Sequence, residues 1–364
     1  MDVGGVLVSN TTGDYLGAYL WEDRLTYVLE DETLQKHYNG INKYFDNEAN
    51  ISVVGYSKDG NQTLFYVTSF KSPGAYYLYN FNDQTIEHLM DIEPEIDEAL
   101  DTDARILTIP TRDGAEITAY HYYPKGQQEG RPLLVMPHGG PHARDVFNYE
   151  MWVQYFVSRG YQVVQMNFRG SDGYGRRFEE AGYGEWGGLM LDDITDTTRY
   201  FHDNELAGPE NTCIVGYSYG GYAALMSGAM SPELYTCVVS GAGISDLYRL
   251  LKDDKKVLDD ETYEQLTESI ALGDPKAQRE MLERQSPINL IEKYEDPLLL
   301  IHGDLDGRVE YHHSEKMYKA MKKAGKSVSL VKLEDEGHSN WSLQTDILYL
   351  ESLEAFLGQH LPPR

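Results

Sequence analysis

Residues 214–226, IVGYSYGGYAALM, set one hydroxyl, Ser218, between two tyrosines and that trio between glycines, directly after an apolar run. Cys213, Ile214 and Val215 read as the end of a buried strand, and Tyr222 to Met226 as the opening of a helix. A sharp strand-to-helix corner needs backbone angles that glycine tolerates and that side chains at the flanking positions obstruct. Such a corner thrusts the residue at its apex outward. The spacing Gly216-Tyr217-Ser218-Tyr219-Gly220 fits the G-x-S-x-G nucleophile elbow, and strand, turn, helix is the context that motif needs. Taken alone the pentapeptide is equally a glycine-rich turn that lets a helix pack on a sheet. The flanking sequence decides between the two.

Outward from this corner, apolar strands alternate with helical patterns. PLLVMPHGG is a strand ending in glycines, YEMWVQYFVSRG a helix stopped by Gly160, YQVVQMNFRG a strand and LDDITDTTRYFHDN an amphipathic helix. NTCIVGYS and LYTCVVSGAG are strands on either side of the elbow helix. PLLLIHGD, HHSEKMYKAMKKAG, SVSLVKLE and LQTDILYLESLEAFLGQHL continue the alternation to the C-terminus. Continuous apolar strands alternating with helices predict an α/β fold, a mostly parallel sheet with helices on both faces. RILTIPTRDGAEITAYHYYP precedes it as a hairpin turning at Asp113-Gly114. Residues before about 100 read as antiparallel strands, with turns at 58–61 and 80–84. Such hairpins cannot bury both faces alone and usually belong to a larger sheet array such as a propeller blade. DIEPEIDEALDTD, residues 91–103, is an acidic connector.

The chain has 364 residues, long enough for a sizeable core, and 31 basic residues against 59 acidic ones, a formal charge of −28. That balance argues against nucleic acid or an anionic membrane as partner, since both require basic patches. The two cysteines, Cys213 and Cys237, lie in apolar segments and read as small buried hydrophobes. No disulfide framework, metal set or cofactor is implied. No apolar run approaches the about 18 residues of a membrane span. MDVGGVLVSN has neither the charged start nor the apolar core of a secretory signal, so a cytoplasmic location is expected unless an upstream segment carries one.

In parallel α/β sheets, sites form at the carboxyl ends of strands. Four strand ends carry candidates: Ser218; Asp304 and Asp306 after LLLIHG; His338 after SVSLVKLEDEG; and His138, Gly139 and Gly140 after LLVMP. The order Ser, Asp, His is that of the α/β-hydrolases. A serine hydroxyl is a weak nucleophile that needs a base titrating near neutrality, and imidazole is suited to that. A carboxylate fixes the tautomer of the base and stabilises its charged form. Backbone N–H groups from the residue after the nucleophile and from an earlier glycine loop would hold a developing oxyanion. His338 stands out among 11 histidines by its Glu-Gly-His turn between the last long strand and the last long helix. His302 precedes the acids on the same strand and reads as core packing. Spacing alone does not separate Asp304 from Asp306.

HGGP, NFRGSDGYG, GYSYGGYAAL, SPIN, IHGDLDGRV and DEGH together resemble the catalytic domain of the prolyl oligopeptidase family, with the acylaminoacyl peptidase and dipeptidyl aminopeptidase branch most similar. The resemblance implies an α/β-hydrolase catalytic domain over 105–364 and a partial β-propeller-like segment over 1–104. It implies a serine peptidase of short peptides or N-acyl and aminoacyl derivatives, with a short-chain carboxylesterase as the alternative. Carried over by position, Ser218 is the nucleophile, His338 the base and Asp306 the carboxylate, leaving Asp304 a bystander. The oxyanion hole would use the Tyr219 N–H and that of Gly140 or Gly139. Arg308 would bind a peptide carbonyl, and Trp341 would line the acyl pocket or pack. Arg169 reads as a structural anchor. The sequence departs from the family in its short N-terminal part: the chain is expected to be a fragment, or to lack most of the propeller filter. The glutamates with which dipeptidyl peptidases of the family hold a substrate amine have no matching motif. Strand edges left exposed there would invite pairing with a second copy.

Overall fold

The computed structural model describes residues 2–9, 12–97, 101–126 and 130–363. Strands β1 (Val3–Val8), β2 (Tyr15–Trp21) and β3 (Leu25–Leu29) form one antiparallel sheet. Helix α1 (Glu32–Tyr44) follows, and then β4 (Asn50–Tyr56), β5 (Gln62–Ser69), β6 (Ser72–Asn80) and β7 (Thr85–Asp91) form a four-stranded meander. Both expected turns lie where the sequence places them. The helix corrects the all-strand reading of this region. Asp31 caps it by accepting the Leu34 N–H at 2.7 Å, and Tyr38 and Ile41, three residues apart, enter the same core as Tyr27, Ile51 and Phe65. Glycine at position 40 and a polar majority obscure that stripe in the sequence.

After the short helix α2 (Pro94–Asp97), the chain enters an eight-stranded sheet. Its strands are β8 (Thr102–Pro110), β9 (Glu116–Pro124), β10 (Leu133–Val135), β11 (Gln162–Asn167), β12 (Thr212–Tyr217), β13 (Cys237–Gly241), β14 (Leu298–Gly303) and β15 (Val328–Leu333). The order is β15-β14-β13-β12-β10-β11-β9-β8; β9 and β8 are antiparallel additions to six parallel strands. This is the expected α/β-hydrolase fold. Side chains alternate between faces, which explains the unbroken apolar strands. Ile214, Leu298 and Leu300 enter the core on one face, and Val215, Leu299 and Ile301 that on the other.

Helices α3 (Met151–Ser158), α4 (Arg176–Glu180), α5 (Leu189–Asp203), α6 (Tyr219–Met230), α7 (Leu247–Asp254), α8 (Asp260–Ala271), α9 (Arg279–Arg284), α10 (His312–Lys323) and α11 (Leu343–His360) complete the C-terminal region. The reading of the cysteines as separate buried hydrophobes is corrected. The β12–β13 register sets Cys213 opposite Cys237, with Cα atoms 4.8 Å apart and the sulfurs joined in a disulfide. Separated by 24 residues in the chain, they meet only because these strands are neighbours.

The N-terminal strands are tied to this sheet by side chains that bond backbone groups across the seam. Arg144 donates to the carbonyls of Trp21 and Glu22 at 2.8 and 2.7 Å. Asn50 donates to Phe147 O at 3.0 Å, and Gln154 to Phe70 O at 2.6 Å.

Candidate active site

Strand β12 ends at Tyr217 and helix α6 begins at Tyr219, leaving Ser218 at the apex with φ +59° and ψ −119°. A non-glycine residue held there costs about 1–3 kcal/mol, which the packing around it must offset. A Cβ on Gly216 would collide with the Gly220 carbonyl, and one on Gly220 with the Pro137 carbonyl. The pattern thus reflects backbone passing against backbone on both sides of the serine. The Ser218 N–H is held by Gly241 O at 2.9 Å, which ties the elbow to β13.

His338 lies in the loop between β15 and α11. Its Nε2 is 3.0 Å from Ser218 Oγ, and its Nδ1 is 2.6 Å from Asp306 Oδ2. The carboxylate is an acceptor only, so Nδ1 carries a proton and, in the neutral ring, Nε2 is free to receive one from the serine. Geometry also separates the two acids. Asp304 faces away, paired with Lys332 at 3.1 Å and accepting the Asp335 N–H at 2.8 Å. Asp306 is buried, and its Oδ1 accepts the N–H groups of Arg308 and Val309 at 2.8 and 2.9 Å. Burial pushes its carboxyl up, but bonds from His302, His338 and the Val309 N–H hold it well below the usual carboxylate range.

The glycine loop after β10 lies against the elbow: a Cβ on Gly139 would stand 3.5 Å from Ser218 Cβ. His138 Nδ1 donates to the Gly139 carbonyl at 2.7 Å, while its Nε2 meets the Ser171 hydroxyl at 2.9 Å. Burial pushes this imidazole down to about 4, so it stays neutral. With the Gly139 carbonyl turned to His138, the Gly140 N–H of the same peptide unit points the other way. Among the described residues the N–H groups of Gly139 and Gly140 meet no backbone acceptor. Tyr219 is the first residue of α6, so its N–H has no intrahelical partner.

Around this centre the remaining candidates separate. Arg308 is exposed, and no carboxylate lies within ion-pair distance of it among the described residues; Asp254 interacts with it through charge alone. Trp341 packs on Tyr217 and Tyr349, with ring centroids 5.6 and 5.1 Å apart, and its indole N–H is committed to Gly337 O at 2.9 Å. Arg169 is an anchor, paired with Asp193 and Asp113, both at 2.5 Å.

Sequence reasoning missed Tyr217, whose hydroxyl donates to the His338 carbonyl at 2.7 Å while its ring lies 5.2 Å from the imidazole. Only its place beside Ser218 hinted at a role. Asp253, His312 and His313 bring ligand-type atoms within 4.8 Å of one another. Arg249 and Lys256 already hold Asp253 at 2.6 and 2.5 Å, so two cations oppose any metal ion there.

A family model described as "Prolyl oligopeptidase family" matches residues 147–363. The chain is 29% identical to "Dipeptidyl aminopeptidase BIII" of Pseudoxanthomonas mexicana, over 100% of this chain and 53% of that protein. Among solved structures, a Mycobacterium tuberculosis puromycin-hydrolyzing peptidase superposes with a TM-score of 0.81 at 22% identity, covering 99% of this chain and 54% of that one. Pyrococcus horikoshii acylaminoacyl peptidase gives 0.79 at 22%, covering 100% and 56%. These two likenesses establish the fold. The chain spans about half the length of the curated relatives it matches.

Proposed function

The chain belongs to the prolyl oligopeptidase family, and from that premise we propose that it is a serine hydrolase of small peptides or aminoacyl derivatives, acting through an acyl-enzyme. The observation that carries the reading is the continuous relay from Ser218 Oγ through His338 to Asp306, at 3.0 and 2.6 Å.

Ser218 attacks the substrate carbonyl while His338 Nε2 takes its proton. Asp306 stays ionised, holds the ring and stabilises the imidazolium. The N–H groups of Tyr219 and Gly140, with Gly139 alongside, receive the oxyanion. Donors fixed by a helix start and a pinned loop need no reorganisation as charge develops, and each such donor is worth about 10²–10³ in rate. The tetrahedral intermediate collapses, His338 returns the proton to the leaving amine, and a water activated by the same imidazole hydrolyses the ester. Arg308, two residues beyond the triad acid and without an ion-pair partner among the described residues, would hold a carbonyl of the acyl part of the substrate. The same machinery would also turn over activated esters, which need less help to expel their leaving group.

Matched p-nitrophenyl acyl esters and aminoacyl or N-acyl-aminoacyl p-nitroanilides, assayed beside Ser218→Ala, test this reading. Amide turnover lost in the mutant supports the peptidase. Ester turnover alone, also lost in the mutant, makes the chain an esterase. No Ser218-dependent turnover of either class refutes the serine hydrolase.

A further inference from the structure

His302 is fully buried at the end of β14, and like His338 it approaches Asp306 at Oδ2. Its Nε2 lies 2.8 Å from the Val309 carbonyl and 3.3 Å from Asp306 Oδ2. Its Nδ1 meets the Ser314 hydroxyl at 2.8 Å, at the start of α10. A carbonyl accepts only, so Nε2 carries the hydrogen, and in the neutral ring Nδ1 accepts from Ser314. The single Nε2–H therefore donates to the Val309 carbonyl and lies beside the carboxylate oxygen that accepts the hydrogen bond of His338 Nδ1–H. Asp306 accepts three hydrogen bonds, two from backbone N–H groups on Oδ1 and one from His338 on Oδ2, and His302 Nε2, 3.3 Å from that Oδ2, brings its N–H as a further positive neighbour.

We propose that His302, backed by Ser314, is a positioning residue for the triad: it fixes the Asp306 carboxylate and, by drawing on the charge of Oδ2, limits how firmly His338 holds a proton. The role rests on the serine hydrolase reading. A base that takes a proton and returns it to the leaving group in every cycle works best when its proton affinity is matched to the working pH, and a fully negative partner oxygen would hold that proton too firmly. His302 supplies that neutralisation as a dipole in a dry site, where a full charge would cost more. Removing it takes the positive end of the Nε2–H dipole away from Oδ2, so the imidazolium of His338 is favoured.

The titratable and charged groups facing this chain of contacts are Tyr217 from the elbow, Tyr311 from the loop after β14, and His313 from α10, with His312, Asp253 and Lys316 beyond His313 and Arg308 next to Asp306 through its backbone N–H. Burial pushes His313 down to about 3 and both tyrosines up, so these three do not change charge near neutrality. Asp254, beside Arg308 and pushed up to about 6 by burial, does titrate there. All measurements are therefore made in an Asp254→Asn background.

The test compares His302→Leu, His302→Gln and Ser314→Ala by NMR titration of the His338 ring, assigned by its loss in His338→Gln, and by the acid limb of kcat/KM. His302→Leu removes the donor, whereas the amide of His302→Gln keeps an N–H near the Nε2 position. The expected result is a midpoint raised by about half a unit or more in His302→Leu, largely restored in His302→Gln, and raised by less in Ser314→Ala. An unmoved or lowered midpoint in His302→Leu overturns the proposal, as does a His302→Gln shift equal to that of His302→Leu. If His302→Leu does not fold, Ser314→Ala decides, and an unmoved midpoint there overturns it. The NMR titration needs no turnover, so a failure of the hydrolase reading stays distinguishable from a failure of this one.

Discussion

Replacing Arg169 by methionine removes a guanidinium and keeps most of the side-chain volume. In the native protein Arg169 donates to Asp193 through Nε at 2.9 and 3.2 Å, through Nη2 at 2.5 Å and through its own backbone N–H at 2.8 Å. Asp193 is fully buried on α5, and burial pushes its carboxyl up against the pull of Arg169. In Arg169→Met only the backbone N–H remains, so a buried carboxylate loses its counter-charge. Such losses cost about 3–5 kcal/mol, or roughly 10 °C in Tm for a region of this size. Without the arginine, the folded-state affinity of Asp193 for a proton exceeds that of the unfolded chain. The penalty is therefore present at high pH and shrinks as pH falls and Asp193 protonates. Urea unfolding and thermal melts at pH 8 and pH 5.5 are the assay, with Arg169→Met/Asp193→Asn as the compensated pair. The double variant should recover most of the loss. Turnover should fall through kcat with KM nearly unchanged, because the anchored loop carries Ser171, which meets His138 beneath the glycine loop. A penalty below about 1 kcal/mol, no pH dependence, or a double variant as unstable as the single would refute the anchor, and a rise in KM alone would point to substrate contact.

Tyr217→Phe frees the His338 carbonyl and loosens the base, so kcat/KM should fall roughly tenfold with the melting temperature little changed; an undiminished rate would contradict the role given to that hydroxyl. Asp254 is raised from 3.8 to about 6, so the folded state takes up its proton more readily than the unfolded chain, and stability falls as pH rises through that interval. Asp254→Asn should therefore be roughly 1–3 kcal/mol more stable than the parent at pH 8 and no more stable at pH 4, which denaturant titrations at the two values check. Gly220→Ala drives a Cβ into the Pro137 carbonyl and should abolish turnover or prevent folding; a variant with native activity and stability would show that the elbow tolerates a side chain.

The parallel sheet was legible because each strand is buried on both faces, so Leu298 to Ile301 read as one apolar run whatever their partners. Ser218 and His338 were legible because strand ends and glycine turns mark where backbone must bend and side chains emerge. Asp304 and Asp306 stayed ambiguous on spacing, since both follow β14; a pairing with Lys332 across the β14–β15 register draws one of them away, and register is a tertiary fact. Helix α1 was missed because its buried stripe is narrow and Gly40 breaks it. The Cys213–Cys237 pairing and the bond from Tyr217 to the His338 carbonyl, a residue 121 positions on, depend on strand adjacency and loop closure that local patterning does not encode.

The central claim, that Ser218 is a nucleophile activated by His338, is tested most directly by intact-mass analysis after reaction with a fluorophosphonate. The account predicts one stoichiometric adduct mapped to Ser218, absent in Ser218→Ala and formed far more slowly in His338→Gln. An unlabelled protein, or an adduct that forms equally fast without His338, would contradict it.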